Sequence, residues 1–95
     1  MQCLTELEVA DLLPSVPEWK LEQGMLVREF RFPDFVAAIR FVDQLAIEAE
    51  AAGHHPDIDI RYNRVRLALV THDAHGITRK DFQLARAADG LYLPA

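Results

Sequence analysis

The feature that most constrains this chain is an uninterrupted amphipathic segment of about twenty residues between Pro33-Asp34 and Gly53. Proline and aspartate favour the first turn of a helix, and glycine readily takes the left-handed conformation that ends one. Apolar side chains recur inside the segment at spacings of four, three, four and three, which makes one continuous stripe. The sequence therefore predicts a long helix over residues 33–52, whose apolar stripe needs a second layer to cover it.

Two alternating segments flank this helix and can supply that layer. Residues 19–32 alternate on either side of Gly24, and residues 57–72 alternate on either side of Asn63-Arg64. Alternation of apolar and polar side chains is typical of half-buried strands. Glycine and asparagine tolerate the positive φ that tight hairpin turns require. The sequence predicts two hairpins, with Tyr62 paired to Val65 in the second.

Two shorter helices complete the predicted order. Thr5 to Glu8 forms a capping-box pattern that opens a helix ended by Pro14, and Thr78 to Asp81 opens another that Gly90 stops. The apolar segment 91–95 packs either on the domain or on a neighbour. The predicted order is α-β-β-α-β-β-α over residues 1–95. We expect a single α+β domain with two layers, a four-stranded antiparallel sheet and helices on one face.

Composition narrows the class of protein. Ninety-five residues, 51% of them apolar, provide one compact core. The net charge of −5 argues against a nucleic-acid binder that relies on phosphate neutralisation. The single cysteine, Cys3, cannot form an internal disulfide, which fits a reducing compartment. With neither a leader pattern nor an apolar run long enough to cross a bilayer, we expect a cytoplasmic protein with no membrane partner.

All four histidines lie between Glu50 and Asp81, and two of them are adjacent. In the predicted register of the second hairpin, His55 faces His72, and a shift of one residue would favour His54 instead. In either register the double histidine and His72 meet at the same end of the hairpin.

Three interpretations of these histidines remain open on the residues alone. They are ordinary polar residues at element ends, or ligands of a metal together with Glu50 or Asp81, or general acid–base groups. Adjacent histidines rarely bind one ion, and the His-x3-His pair typical of metal-binding helices is absent from the sequence, so metal binding is disfavoured. Nucleophilic catalysis is also disfavoured, because neither Cys3 nor Ser15 has an evident histidine partner.

The spacing of these residues resembles the signature of the pterin-4a-carbinolamine dehydratase family. The signature here is Glu50-x3-His54-His55-Pro56-x5-Tyr62-x9-His72-x8-Asp81. The resemblance extends from about Trp19 to Ala85. It implies dehydration of 4a-hydroxytetrahydropterin to quinonoid dihydropterin, in the recycling of tetrahydrobiopterin, with pterin as substrate and neither a metal nor a redox cofactor.

The resemblance also implies roles for individual residues. His54 and His72 would be the acid–base pair and His55 would mainly hold the substrate, although the predicted register favours His55 opposite His72. Glu50 and Asp81 would orient the histidine imidazoles and fix their tautomers without contacting the substrate. Trp19 is a candidate for stacking on the pterin ring.

Some residues of the region have simpler interpretations. Core packing is commoner than stacking for a strand tryptophan such as Trp19. Tyr62 is expected on the apolar face of its strand. His75 is expected in solvent.

Partners and alternatives follow from the same resemblance. It implies a homodimer or homotetramer and a functional link to an aromatic amino acid hydroxylase. Animal members of the family also serve as dimerisation partners of a transcription factor, so a non-catalytic interaction module on the same fold is the alternative. A related dehydratase acting on another pterin, as in molybdenum-cofactor metabolism, is a further possibility.

Overall fold

The computed structural model describes residues 2–92, and its elements follow the predicted order. The three α-helices and four strands are α1 (Glu6–Leu12), β1 (Lys20–Glu22), β2 (Met25–Arg31), α2 (Phe35–Ala52), β3 (Asp57–Arg61), β4 (Arg64–Leu69) and α3 (Arg79–Leu91). Single 3-10 turns follow α1 and β4, at Leu13–Ser15 and His72–Ala74. The strands form one antiparallel sheet in the order β1-β2-β4-β3, which confirms the predicted α+β class.

Most helix ends form where the sequence predicts them, but α3 continues through Gly90, its predicted end, to Leu91. Asp34 caps α2 by accepting a hydrogen bond from the amide of Ala37 at 2.8 Å. Gly53 ends α2 with φ of +62°, so that its neighbour's amide, at His54, bonds back to the carbonyl of Ala49. Both predicted capping boxes, opening α1 and α3, are present. The end of α2 therefore fixes the direction in which the double histidine leaves the helix.

The second hairpin differs from the prediction. Its two turn residues are Tyr62 and Asn63, because Arg61 pairs with Arg64, and the predicted pair of Tyr62 with Val65 is wrong. Tyr62 has φ of +53° and a side chain that is 67% exposed, so its predicted place on the apolar face is also wrong. Asn63 is held instead by hydrogen bonds to the main chain of Phe32, at 2.9 and 3.0 Å.

Helix α2 carries more apolar surface than its own domain covers. Its buried face consists of Ala38, Phe41, Leu45 and Ala49, so it is rotated from the predicted stripe, because α2 packs on α3 as well as on the sheet. Phe35, at the start of that stripe, is half-exposed, and Val36 and Ile47 are 55% and 70% exposed. Part of the apolar surface of α2 therefore faces outward.

Trp19 belongs to the core. Its ring is 3% exposed, packs edge-on against Phe30 with centroids 6.0 Å apart, and donates from Nε1 to Asp89 Oδ1 at 2.8 Å. The guanidinium of Arg28 bonds the same carboxylate oxygen at 2.6 Å and lies 4.3 Å from the centre of the Phe30 ring. This cluster joins the sheet to the end of α3.

The start of the apolar tail packs on this core. Leu91 and Tyr92 lie against the core, and the Tyr92 hydroxyl donates to the carbonyl of Arg31 at 2.8 Å. Residues 93–95 of the predicted apolar tail lie outside the described residues. Within residues 2–92, no helix combines the length and the apolar character needed to cross a membrane.

Candidate active site

Three of the predicted histidines line one cleft of about 210 Å³. His54 and His55 follow α2, and His72 opens the 3-10 turn after β4. The cleft is lined by Gly53, His54, His55, Val70, Thr71, His72, Asp73 and Lys80. The structure thus brings the three histidines together at the end of the sheet where β3 begins and β4 ends.

The pairing across this cleft differs from the prediction that His55 faces His72. Asp57 is paired with Ala68, and continuing that register brings His54 beside Thr71. The shift arises from the turn, which uses Tyr62 and Asn63. Because partners move by two residues, the side chains within β3 and β4 keep their predicted side of the sheet, whereas Tyr62 now lies in the turn.

His54 is in hydrogen-bond contact with a buried carboxylate. Its Nε2 lies 2.6 Å from Asp81 Oδ1, with His54 8% exposed and Asp81 fully buried. The other carboxylate oxygen, Oδ2, accepts hydrogen bonds from the Thr71 hydroxyl and from the amide of Thr78, both at 2.9 Å. A buried carboxylate is costly unless it is fully hydrogen-bonded, and these donors supply the compensation.

This network fixes the arrangement of the His54 ring. An ionised carboxylate only accepts hydrogen bonds, so neutral His54 carries its proton on Nε2. Nδ1 then holds the lone pair, and it has no hydrogen-bond partner among residues 2–92. Within the same residues no buried side-chain nitrogen or oxygen lacks a partner. Nδ1 is therefore not sealed off, and we infer that it meets solvent at the cleft.

The other two histidines are exposed. His55 Nε2 lies 2.7 Å from Glu50 Oε1, and these side chains are 67% and 80% exposed. Exposed pairs of this kind contribute little, typically below about 1 kcal/mol. The imidazole of His72 forms neither a hydrogen bond nor an ion pair with any other residue in the described part of the chain.

Other predicted residues lie elsewhere. The structure does not bring Trp19 to the cleft, because its ring is enclosed in the core. Tyr62 is in the turn at the opposite end of the sheet. His75 is exposed, as expected, and lines a separate, mostly apolar groove of about 550 Å³ together with Cys3.

Thr71, Asp73 and Lys80 line the cleft but were missed by the sequence prediction. Thr71 and Asp73 flank His72, and Lys80 precedes Asp81. Their proximity to motif residues was the available signal.

Size alone does not identify the site. A cleft of about 420 Å³ on the open sheet face is larger, but it is lined by Glu29, Asp59 and three arginines, none of which titrates near neutral pH in its ordinary state. Among residues 2–92 no three side chains of the metal-binding types are grouped so as to hold an ion. The groove beside Cys3 holds one histidine, His75, whereas the histidine cleft brings together three groups suited to proton transfer near neutrality.

Comparison with known proteins identifies the family of this chain. The family described as pterin 4 alpha carbinolamine dehydratase matches residues 2–91. A protein of Chloroflexus aurantiacus with the provisional name pterin-4-alpha-carbinolamine dehydratase is 62% identical over 89 residues, covering 94% of this chain and 96% of that protein. One of Acidobacterium capsulatum with the same provisional name is 56% identical over 91 residues, covering 96% and 99%.

Two solved structures share the fold. The transcriptional coactivator/pterin dehydratase of Brucella melitensis matches with a TM-score of 0.91 and 35% identity, covering 95% of this chain and 98% of that one. A pterin dehydratase-like protein identified as a RuBisCO assembly factor in the alpha-carboxysome matches with a TM-score of 0.64 and 24% identity, covering 77% and 84%. The latter shows a common fold alone. The histidine motif, its placement in one cleft and relatives that match nearly end to end lead to one conclusion: the chain belongs to the pterin-4-alpha-carbinolamine dehydratase family.

Proposed function

We propose that this protein dehydrates 4a-hydroxytetrahydropterin to quinonoid dihydropterin by histidine acid–base catalysis. The observation that carries the proposal is the buried contact between His54 and Asp81 in a cleft that His55 and His72 also line. The reaction would return pterin to the tetrahydrobiopterin cycle. We also propose a cytoplasmic location and a functional link to an aromatic amino acid hydroxylase, whose reaction leaves the hydroxylated pterin.

The reaction needs one acid and one base. The bond between C4a and its hydroxyl oxygen breaks, and that oxygen leaves as water after it gains a proton. The proton on ring nitrogen N5 passes to a base, and the electrons of the N5–H bond form the new double bond between N5 and C4a. Positioned acid and base groups typically accelerate such steps by roughly 10²–10⁴-fold.

The geometry supports a division of these roles. His54 is the base, because Asp81 occupies its Nε2 and leaves the lone pair of Nδ1 available. A carboxylate bonded to one nitrogen of an imidazole also fixes the orientation of the ring. His72 is the acid that protonates the leaving hydroxyl. His55, oriented by Glu50 at the cleft mouth, holds the substrate.

The dimensions of the cleft favour a small planar substrate. Its volume of about 210 Å³ is below the roughly 300–1,000 Å³ typical of pockets for drug-sized ligands. A flat bicyclic pterin head suits such a space, with its side chain extending into solvent. The side chain is then weakly specified, so 4a-hydroxytetrahydrobiopterin and related pterins, including those of molybdenum-cofactor metabolism, are candidate substrates.

The reaction is redox-neutral, and we propose that it uses no metal or redox cofactor. Both of its steps are proton transfers, which positioned imidazoles can carry out without a metal. We expect dialysis against EDTA to leave the dehydration rate unchanged. A rate lost on dialysis and restored by a divalent ion would contradict a metal-free reaction.

The experiment that tests the dehydratase proposal is the decay of freshly generated 4a-hydroxytetrahydropterin, followed by absorbance with and without the protein. We expect decay to accelerate in proportion to protein concentration and to saturate with substrate. Decay at the rate of buffer alone would contradict the proposal.

The second candidate is a non-catalytic interaction module. The solved structure named as a RuBisCO assembly factor shows that this fold occurs in a protein of another role. On this chain, Val36 and Ile47 leave apolar surface exposed on α2. We propose that a second copy of this chain covers that surface, giving a homodimer or homotetramer whether or not the protein is catalytic.

A further inference from the structure

We propose that Thr71 is a positioning residue for the reaction. Its hydroxyl, held in turn by Thr78, fixes Asp81 so that His54 keeps its proton on Nε2 and presents Nδ1 to the cleft. The catalytic consequence rests on the proposed function. The effect on the His54 ring does not, and can be measured without any substrate.

The direction of the hydrogen bonds follows from counting protons. Thr71 Oγ1 lies 2.9 Å from Asp81 Oδ2 and 2.8 Å from Thr78 Oγ1. A hydroxyl has one proton to donate, and an ionised carboxylate has none. Thr71 must therefore donate to Asp81, and Thr78 must donate to Thr71. The chain runs one way, from the Thr78 hydroxyl through Thr71 to the carboxylate.

Burial makes this chain difficult to replace. Thr71 is 8% exposed, Thr78 is 2% exposed and Asp81 is fully buried. Charge-assisted hydrogen bonds are stronger where water is excluded, and chains of them reinforce one another. Removing the Thr71 hydroxyl leaves Oδ2 with the Thr78 amide as its remaining donor. The carboxylate is then held by one hydrogen bond fewer, and the orientation of the His54 ring is less firmly fixed.

Thr71 can be separated from helix capping, whereas Thr78 cannot. Thr78 is the N-cap of α3 and its Oγ1 accepts from the amide of Lys80 at 3.3 Å. A change at Thr78 would therefore disturb α3 itself. The main chain of Thr71 is bonded to Gly76 on both sides, at 3.0 and 3.4 Å, and its side chain caps no helix. A substitution of the Thr71 side chain can therefore remove the hydroxyl while leaving these main-chain bonds in place.

The position of Thr71 in the chain gives it a second consequence. It immediately precedes His72, the proposed acid. Two adjacent residues thus serve both ends of the reaction, since one orients the base through Asp81 and the next carries the acid. A displaced 71–72 segment would disturb both, which is why the test needs a readout specific to His54.

The experiment compares Thr71→Val with Thr71→Ser, and uses Thr5→Val, at the exposed cap of α1, as a matched control. Imidazole ¹⁵N chemical shifts report which ring nitrogen carries the proton. We expect His54 of the native protein to be protonated on Nε2 and Thr71→Val to show a mixture of tautomers. Thr71→Ser should restore the native shifts, and Thr5→Val should retain them.

Steady-state kinetics provide the second readout. We expect Thr71→Val to lower kcat by roughly tenfold or more, the range of effects seen for partners that orient a ligating histidine, with a smaller change in KM. Thr71→Ser should lie within about threefold of the native kcat.

Several outcomes would overturn the proposal. If His54 of the native protein carries its proton on Nδ1, the proposal is wrong whatever the variants show. The proposal is also wrong if Thr71→Val folds and has native ¹⁵N shifts and a native kcat. If the shifts move as expected in a protein that has no dehydratase activity, the positioning role stands and the proposed function fails.

Discussion

His54 and His55 are neighbours in the chain and each bonds a carboxylate at nearly the same distance, 2.6 and 2.7 Å. The difference between them is burial. Asp81 is fully buried, whereas the Glu50 side chain is 80% exposed. Water competes with the second pair and screens it. Only the pair of His54 with Asp81 can therefore hold an imidazole in a fixed tautomer.

We expect Asp81→Asn to lower the dehydration rate by at least about tenfold, because the amide can offer a donor where His54 needs an acceptor. Glu50→Gln is the matched change at the exposed pair, and we expect it to stay within about threefold. Steady-state kinetics on folded variants, checked by circular dichroism, measure both. Equal losses in the two variants would contradict the distinction drawn from burial.

The sequence located the histidines but not their partners. The motif contained both acids, and nothing in its spacing assigned Asp81 to His54 and Glu50 to His55. That assignment depends on the packing of α3 against α2, which brings Asp81 to His54 across 27 residues of sequence. Thr71 was likewise missed, because a threonine before a histidine carries no pattern of its own.

Helix α1 begins with a capping box that responds to pH. Hydrogen bonds to Thr5 hold the pKa of Glu8 below its ordinary value. The bond to the backbone amide of Thr5 has the larger effect and the bond to its hydroxyl the smaller. The Glu8 carboxylate therefore binds a proton more readily in the unfolded chain than in the folded one. The contribution of Glu8 to stability is complete above the ordinary pKa of glutamate and is lost as the pH falls through the lowered pKa of the folded state.

We expect amide protection at Thr5 to fall with acid in the native protein and to be weaker and flat with pH in Glu8→Gln. Hydrogen exchange followed by NMR measures both. The matched control is Glu48→Gln, an exposed change on α2 that should leave protection at Thr5 unaltered. Native protection at Thr5 that stays constant through the titration of Glu8 would contradict this reading of the cap.

The cluster at the end of α3 ties that helix to the sheet. Asp89 Oδ1 accepts from both Trp19 Nε1 and Arg28 Nη1. We expect Asp89→Asn to lower the free energy of unfolding by about 1–3 kcal/mol, the typical cost of leaving partly buried polar groups without their partner. Asp43→Asn on the exposed side of α2 should change it by less than about 0.5 kcal/mol. Urea denaturation measures both, and equal effects would contradict the role of the cluster.

Periodicity and capping predicted the elements well because both are local. The limits of α2 follow from Asp34 and Gly53, which the structure confirms as its caps. The buried face of α2 was not predictable to the same degree, because apolar residues cover most of its circumference. Tertiary packing buries Ala38, Phe41 and Leu45 and leaves Ile47 outside.

The exposed apolar side of α2 bears on the assembly of the whole molecule. If a second copy covers this side, Ile47→Glu should raise the dissociation constant of the oligomer by at least about tenfold, because a charge replaces an apolar contact. Leu7→Glu, on an α1 side chain that is 79% exposed, is the matched control and should leave assembly unchanged. Sedimentation at several concentrations measures both, and a native protein that is monomeric throughout would contradict the proposal.

The most direct test of the proposed chemistry compares the dehydration rates of His54→Ala and His75→Ala with that of the native protein. His54 lines the cleft and contacts the buried carboxylate of Asp81, whereas His75 lies in the separate groove beside Cys3. We predict that His54→Ala loses most of the acceleration, on the order of 10²-fold or more, and that His75→Ala retains it. Equal rates for the two variants, or a native rate no faster than buffer, would contradict acid–base catalysis in this cleft.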